Sequence, residues 1–132
     1  MTTNVLTIAE FMSAAPYTVG SDLPMATAHD MMRKHHMRHL PVLQGGHVVG
    51  VVSDGDLHLI ETLKDVDPEK VLVEEAMTQA PYCVGRDEPL ANVATEMAKH
   101  KYGCALVVEG GHVVGIFTTV DACRALATCL KS

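Results

Sequence analysis

Apolar and polar positions along the 132-residue chain switch between two periods, and each switch marks an element. Ile8-Ala9-Glu10-Phe11-Met12 and Val73-Glu74-Glu75-Ala76-Met77 read as short helical lead-ins. Pro16 and Pro81 stop them, because the residue before a proline is pushed out of the helical region. A short extended stretch follows each, Tyr17-Thr18-Val19 or Tyr82-Cys83-Val84. Then come Ser21-Asp22-x-Pro24 and Arg86-Asp87-x-Pro89, where the aspartate can cap a helix whose first turn accepts proline. In the later of these helices Leu90, Val93, Ala94 and Met97 fall at i, i+3, i+4 and i+7, an apolar stripe.

Strand-like runs take over next. Leu40-Pro41-Val42-Leu43 and Val48-Val49-Gly50-Val51-Val52 flank Gly45-Gly46, while Ala105-Leu106-Val107-Val108 and Val113-Val114-Gly115-Ile116-Phe117 flank Gly110-Gly111. Both read as hairpins, since glycine accepts the positive φ of a tight turn. A last amphipathic helix closes each series, with Leu57, Ile60 and Leu63 in the first and Cys123, Leu126, Ala127 and Leu130 in the second.

The two series are copies. A shift of 65 residues aligns 11–60 with 76–125 without a gap and gives 20 identities in 50 positions. The expected fold is α/β (α+β), with the order β-α-β-β-α written twice, over residues 7–64 and 72–131. The connector, 65–71, is charged, contains Pro68 and has no apolar period. A unit of about 60 residues is marginal on its own, so the copies are expected to share a core as a pseudo-two-fold pair.

Composition narrows the function classes. Hydrophobic residues at 48% and charged residues at 20% are globular values. No apolar run approaches the roughly 18–20 residues of a membrane span, and Met1-Thr2-Thr3-Asn4 lacks the basic start of a leader, so a cytoplasmic protein without membrane contact is expected. A net charge of -6 opposes general nucleic-acid binding. Eight of the sixteen acidic residues lie between Asp54 and Glu75, and Arg33-Lys34-His35-His36-Met37-Arg38-His39 is the one basic cluster. That cluster suits a solvated helix end, an anion site or, less well, nucleic acid. His35 or His36 with His39 could start a metal site, but the run holds no cysteine or carboxylate to complete one.

Cys83, Cys104, Cys123 and Cys129 show no C-x-x-C spacing and sit among apolar neighbours, as small buried hydrophobes do. Five aromatic residues offer no platform for stacking single-stranded nucleic acid. The chain contains no phosphate-binding loop, dinucleotide fingerprint, zinc-protease motif or hydrolase elbow, and Cys83 has no adjacent base, so catalysis is not expected.

The chemistry concentrates where the hairpin enters the last helix, at Gly50-Val51-Val52-Ser53-Asp54-Gly55-Asp56 and Gly115-Ile116-Phe117-Thr118-Thr119-Val120-Asp121. A hydroxyl and a carboxylate three residues apart fit two roles. One is a capping box, in which the acid reaches back to the backbone. The other is nucleotide recognition, in which the carboxylate accepts from a ribose diol and the helix N–H groups approach phosphate. Gly50 and Gly115, set in β-branched strands, point to close approach of another backbone or a ligand.

Taken together, the duplicated Met-x-x-x-Pro, Asp-x-Pro, Leu40-Pro41-Val42, Gly-Gly-x-Val-Val-Gly and Ser/Thr-x-x-Asp elements resemble the cystathionine β-synthase (CBS) domain pair, or Bateman module, from about residue 7 to 130. The resemblance implies two motifs with clefts between their sheets, frequent homodimerisation, and regulatory binding of an adenosyl ligand such as AMP, ADP, ATP, S-adenosylmethionine or NADH, with no cofactor required. It implies that Asp56 and Asp121 hold ribose with Ser53 and Thr118 beside them. Thr18-Val19-Gly20, Cys83-Val84-Gly85, Leu40 and Ala105 would frame the adenine slots.

Arg38-His39 precede Leu40 where Gly103-Cys104 precede Ala105, so basic phosphate partners come from the first repeat alone. One dominant phosphate-binding cleft is expected. The leading expectation is a sensor of adenine nucleotide that signals to an unidentified protein partner. The alternatives are a constitutive dimerisation scaffold with degenerate clefts and, more weakly, a nucleic-acid-binding module.

Overall fold

The computed structural model describes residues 5–131; the run Met1–Asn4, read above for a leader, and Ser132 lie outside the described residues. A single turn of 3-10 helix at Ile8–Glu10 leads into β1 (Ser13–Ala14), β2 (Val19–Gly20), α1 (Met25–His35), β3 (His39–Gln44), β4 (His47–Ser53) and α2 (Asp54–Glu61). The second series runs α3 (Val73–Ala76), β5 (Thr78–Gln79), β6 (Cys83–Val84), α4 (Leu90–His100), β7 (Cys104–Glu109), β8 (His112–Thr118) and α5 (Thr119–Lys131). Helices and strands mix as expected, in two four-stranded sheets ordered β2-β3-β4-β5 and β1-β8-β7-β6. Among the described residues no helix is long and apolar enough to cross a membrane.

The chain divides into two compact units, Tyr17–Pro81 and the remainder on either side of it. Repeat and unit are different partitions, because each lead-in serves the other repeat's sheet. β5 pairs with β4 (Gly50 opposite Gln79), and β1 pairs with β8 (Gly115 opposite Ala14). That exchange explains the two strand glycines. A Cβ on Gly50 would lie 2.8 Å from the Thr78 carbonyl oxygen and against Met77, and a Cβ on Gly115 would fall on the Met12 side chain. Backbone and methionine, rather than ligand, hold those positions.

Two-residue β1 and β5 are too short to show a period, and the sequence pattern missed them. Ala15 and Ala80, each before a proline, are out of the right-handed helical region as expected, but at φ 48° and 50° rather than extended. The hairpin turns carry positive φ at both glycines, 58° and 82° at Gly45-Gly46 and 57° and 83° at Gly110-Gly111.

The core of Tyr17–Pro81 gathers Val19, Met25, Ala28, Met32, Leu40, Val42, Val52, Leu57 and Val73. Ile8, Val93, Met97, Ala105, Val107 and Phe117 form the core of the other unit. Burying a side chain such as Leu40 or Phe117 contributes about 1.5–3 kcal/mol. The stripe expected on α5 is not the buried one. Asp121 and Ala125, one turn apart, are buried, while Cys123, Leu126, Ala127 and Leu130 are exposed. The capping acid sets the rotation of this helix, and the larger apolar residues fall on its flank.

Candidate functional site

In the Tyr17–Pro81 unit the β4–α2 junction forms a complete capping box. The Asp56 N–H donates to Ser53 Oγ at 3.1 Å, and the Ser53 N–H donates to Asp56 Oδ2 at 3.1 Å. Across the hairpin His39 is the register partner of Ser53, and the Asp54 N–H donates to the Arg38 carbonyl at 2.8 Å. Four of the expected residues, Arg38, His39, Ser53 and Asp56, therefore meet at one end of the β3–β4 hairpin.

His39 is half-buried there. Desolvation lowers its pKa; Asp56 pulls the other way, and Arg38 adds to the lowering. Asp56 uses one oxygen for its cap. Its Oδ1 accepts no hydrogen bond among the described residues and is available to a donor pair.

The other residues expected in this half lie elsewhere. Val19 and Leu40 point into the core, so only their main chain is open to a ligand. Thr18, Val19 and Gly20 border a polar concavity of about 550 Å³ at the opposite, turn end of the hairpin, with Gln44, Gly45 and Glu74. Gly20 is the register partner of Leu43, four residues along β3 from His39, which is about 13 Å of strand. The fold does not bring Gly20 to Asp56.

The second junction repeats the box with a different outcome. Asp121 Oδ2 accepts from the Thr118 N–H at 3.0 Å and from Thr118 Oγ1 at 3.2 Å, and Oδ1 accepts from Arg124 at 2.9 Å and from Ser13 Oγ at 3.2 Å. Both oxygens are engaged, and the side chain is 5% exposed. Cys104 stands opposite Thr118 in the place of His39, and the Thr119 N–H donates to Gly103 as Asp54 does to Arg38. Burial and, secondarily, neighbouring Cys83 push the Cys104 thiol up to about 12. Desolvation raises Cys83 as well, although part of it is exposed, so neither thiol is the thiolate that nucleophilic chemistry needs. Ala105 is in the core, and Val84 packs against it. Neither side chain frames an open slot.

Sequence reasoning missed Ser13, which β1 carries to Asp121 from 108 residues away. The available signal was its alignment with Thr78, a hydroxyl in both copies. It missed His29, whose Nδ1 lies 2.5 Å from Glu61 and whose Nε2 lies 3.6 Å from Asp54, bridging α1 to both ends of α2. It also missed ring stacks on the matching tyrosines: Tyr17 on His35 with centroids 3.7 Å apart, and Tyr82 on Tyr102 at 5.2 Å with His100 beyond. Among the described residues no three His, Cys, Asp or Glu side chains converge as metal ligands do.

The CBS domain family matches residues 8–59 and 73–128. The chain is 29% identical over 126 residues to L-aspartate semialdehyde sulfurtransferase of Methanocaldococcus jannaschii, covering 94% of this chain but 24% of that enzyme. The chain thus spans about a quarter of that relative's length. Among solved structures it superposes on the CBS domain pair of protein MJ0100, crystallised with 5'-methylthioadenosine and S-adenosyl-L-methionine, with TM-score 0.86, 28% identity and coverage of 95% and 98%. It superposes on CBSX2 in complex with AMP with TM-score 0.83, 25% identity and coverage of 96% and 99%. Matched in both halves by one family pattern, and over nearly its whole length by two such folds, the chain belongs to the CBS domain family.

Proposed function

We propose that this chain is a non-catalytic regulatory module that binds an adenosyl ligand of the AMP, ADP and ATP class through its Tyr17–Pro81 half. Asp56 accepts the ribose diol, Ser53 and the first N–H groups of α2 approach phosphate, and Arg38 and His39 supply its positive partners. The observation that carries the reading is the unengaged Asp56 Oδ1 beside Arg38 and His39 at a capped helix start. The bound adenosyl groups of the MJ0100 pair and of CBSX2 support the ligand class.

Signalling is a population shift: ligand moves a conformational equilibrium by no more than its difference in affinity for the two states, and a cytoplasmic partner protein reads the result. Calorimetric titration with AMP, ADP, ATP, NADH and S-adenosylmethionine tests it. At least one of them binds the wild type, and Asp56→Ala loses that binding while remaining folded. Absence of heat from all five at millimolar concentration overturns the reading.

A second reading, favoured by the saturated Asp121, assigns the other half to assembly. Its α4 and α5 border an apolar groove of about 450 Å³ with Leu90, Ala94, Phe117 and Leu126, and Leu130 is 76% exposed. The matching face of α1 and α2 carries His29 and Glu61 instead. Apolar against apolar fits a homodimer through α5, whereas apolar against the charged face would strand ions. Sedimentation shows a dimer that Leu126→Glu converts to monomer if this assignment is right.

A further inference from the structure

The basic run Arg33 to His39 is sorted by the fold into separate settings. His35 stacks on Tyr17, and His39 lies under the influence of Asp56. Arg33, His36 and Arg38 instead line one concavity of about 410 Å³, closed by Met32, Met37 and Asp54. α1 ends at its rim. His36 caps that helix in the left-handed region at φ 55°, ψ 44°, and the Met37 N–H returns to the Met32 carbonyl, turning the three basic side chains around the start of α2.

These side chains are underused. The Arg38 guanidinium makes no hydrogen bond or ion pair to a described residue. Among the described residues Arg33 pairs only with Asp30, at 2.9 Å between two exposed groups, a pair of little worth in water. Asp54 is the one acidic lining residue, and it lies 3.6 Å from His29. In the other half the matching positions are Ala98, Lys101, Gly103 and Thr119, so both arginines are absent there.

The concavity adjoins the ribose-binding acid at one helix end: Arg38 lines it, and Arg38 and Asp56 both act on His39 beside it. Asp54 and Asp56 are the first and third residues of α2, two steps of about 100° around the axis. The first-turn N–H groups between Asp54 and Asp56 themselves favour phosphate.

We propose that Arg33 and His36, with Arg38, seat the terminal phosphates of a nucleoside di- or triphosphate and so select polyphosphate over monophosphate and over uncharged-tail adenosyl ligands. The proposal rests on the ribose reading above. Each arginine can grip phosphate bidentately, the stronger kind of contact, so the selectivity should reach about tenfold or more.

The test is calorimetric titration of the full chain with AMP, ADP and ATP at fixed ionic strength, with tripolyphosphate as competitor. The expected result is ADP and ATP binding at least about tenfold tighter than AMP. Arg33→Ala and, independently, His36→Gly, which keeps the left-handed backbone, should each lower the ATP-to-AMP affinity ratio severalfold. Tripolyphosphate should compete with ATP more strongly than with AMP. Equal affinities in the wild type, or a ratio unmoved in both variants, overturns the inference while AMP binding lost in Asp56→Ala keeps the ribose reading. If no nucleotide binds the wild type, the ribose reading fails, and the inference falls with it.

Discussion

Asp56 and Asp121 occupy the same position in two copies of one sequence, close the same capping box, and are not equally available. Among the described residues Asp56 keeps an oxygen without a hydrogen bond, near Arg38 and His39. Asp121 is buried and spends both oxygens on Thr118, Ser13 and Arg124. The difference shows that the capping role and the ligand role of a Ser/Thr-x-x-Asp junction are separable. The helix start comes with the motif, whereas the free valence depends on what the neighbouring elements bring. Duplication supplied two equal starting points, and the serine of β1 together with a basic residue on α5 has consumed one of them.

The halves differ most in what faces their strand glycines. Gly50→Ala drives a methyl onto the Thr78 carbonyl oxygen, a backbone atom fixed by the β4–β5 ladder. Gly115→Ala meets the flexible side chain of Met12. Urea denaturation should show a loss of about 2–3 kcal/mol for Gly50→Ala and about 1 kcal/mol for Gly115→Ala. Adding Met12→Ala should relieve the second clash, with a measurable coupling energy, whereas Met77→Ala should not relieve the first, because the carbonyl stays. Equal losses, or rescue in both pairs, would show that the two lead-ins grip their sheets alike.

A crossing of effects separates the carboxylates. Asp121→Ala removes a cap and strands partners around a buried site, which costs about 2–3 kcal/mol of stability. Asp56→Ala removes a half-buried cap and costs about 1 kcal/mol. Nucleotide affinity should respond in reverse, lost in Asp56→Ala and retained in Asp121→Ala wherever that variant is folded. Loss of affinity in Asp121→Ala alone would reverse the assignment of the two halves.

The repeat carried most of the fold. Because the copies align without a gap, α1 and α4, β3 and β7, and β4 and β8 could each be placed twice, and every pair starts 65 residues apart. The exchange of lead-ins was not legible, since two-residue strands have no period and their partners lie far away in sequence. The site was legible where it is local: Ser53 with Asp56, and Arg38 and His39 ahead of the hairpin. It was not legible in side-chain direction. Leu40 and Ala105 alternate with His39 and Cys104 along their strands, so one step of register places them in the cores and their neighbours on the other face. Ser13, the distant partner of Asp121, likewise arrives on β1, which no local pattern announces.

His39 and Cys104 provide the smallest contrast, read through pH. Desolvation makes native His39 hold its proton less readily than the same residue in the unfolded chain, whose ordinary value is 6.5. Above that pH both states are neutral, and the residue contributes nothing to the balance. As pH falls below 6.5 the unfolded chain protonates first, so stability declines, and the decline is complete once the native imidazole has protonated too. Its slope stays below about 1.4 kcal/mol per pH unit, the limit for one proton. His39→Gln should flatten this slope. Cys104→Ser should leave it alone, because a buried thiol near 12 stays neutral throughout the acid range. A bound phosphate reverses the sense at His39, since an anion favours the imidazolium. Nucleotide binding should therefore take up a fraction of a proton just below neutrality, seen as a binding heat that varies with the ionisation enthalpy of the buffer. That variation should shrink in His39→Gln; a variation of unchanged size there would show that His39 is not the phosphate's partner.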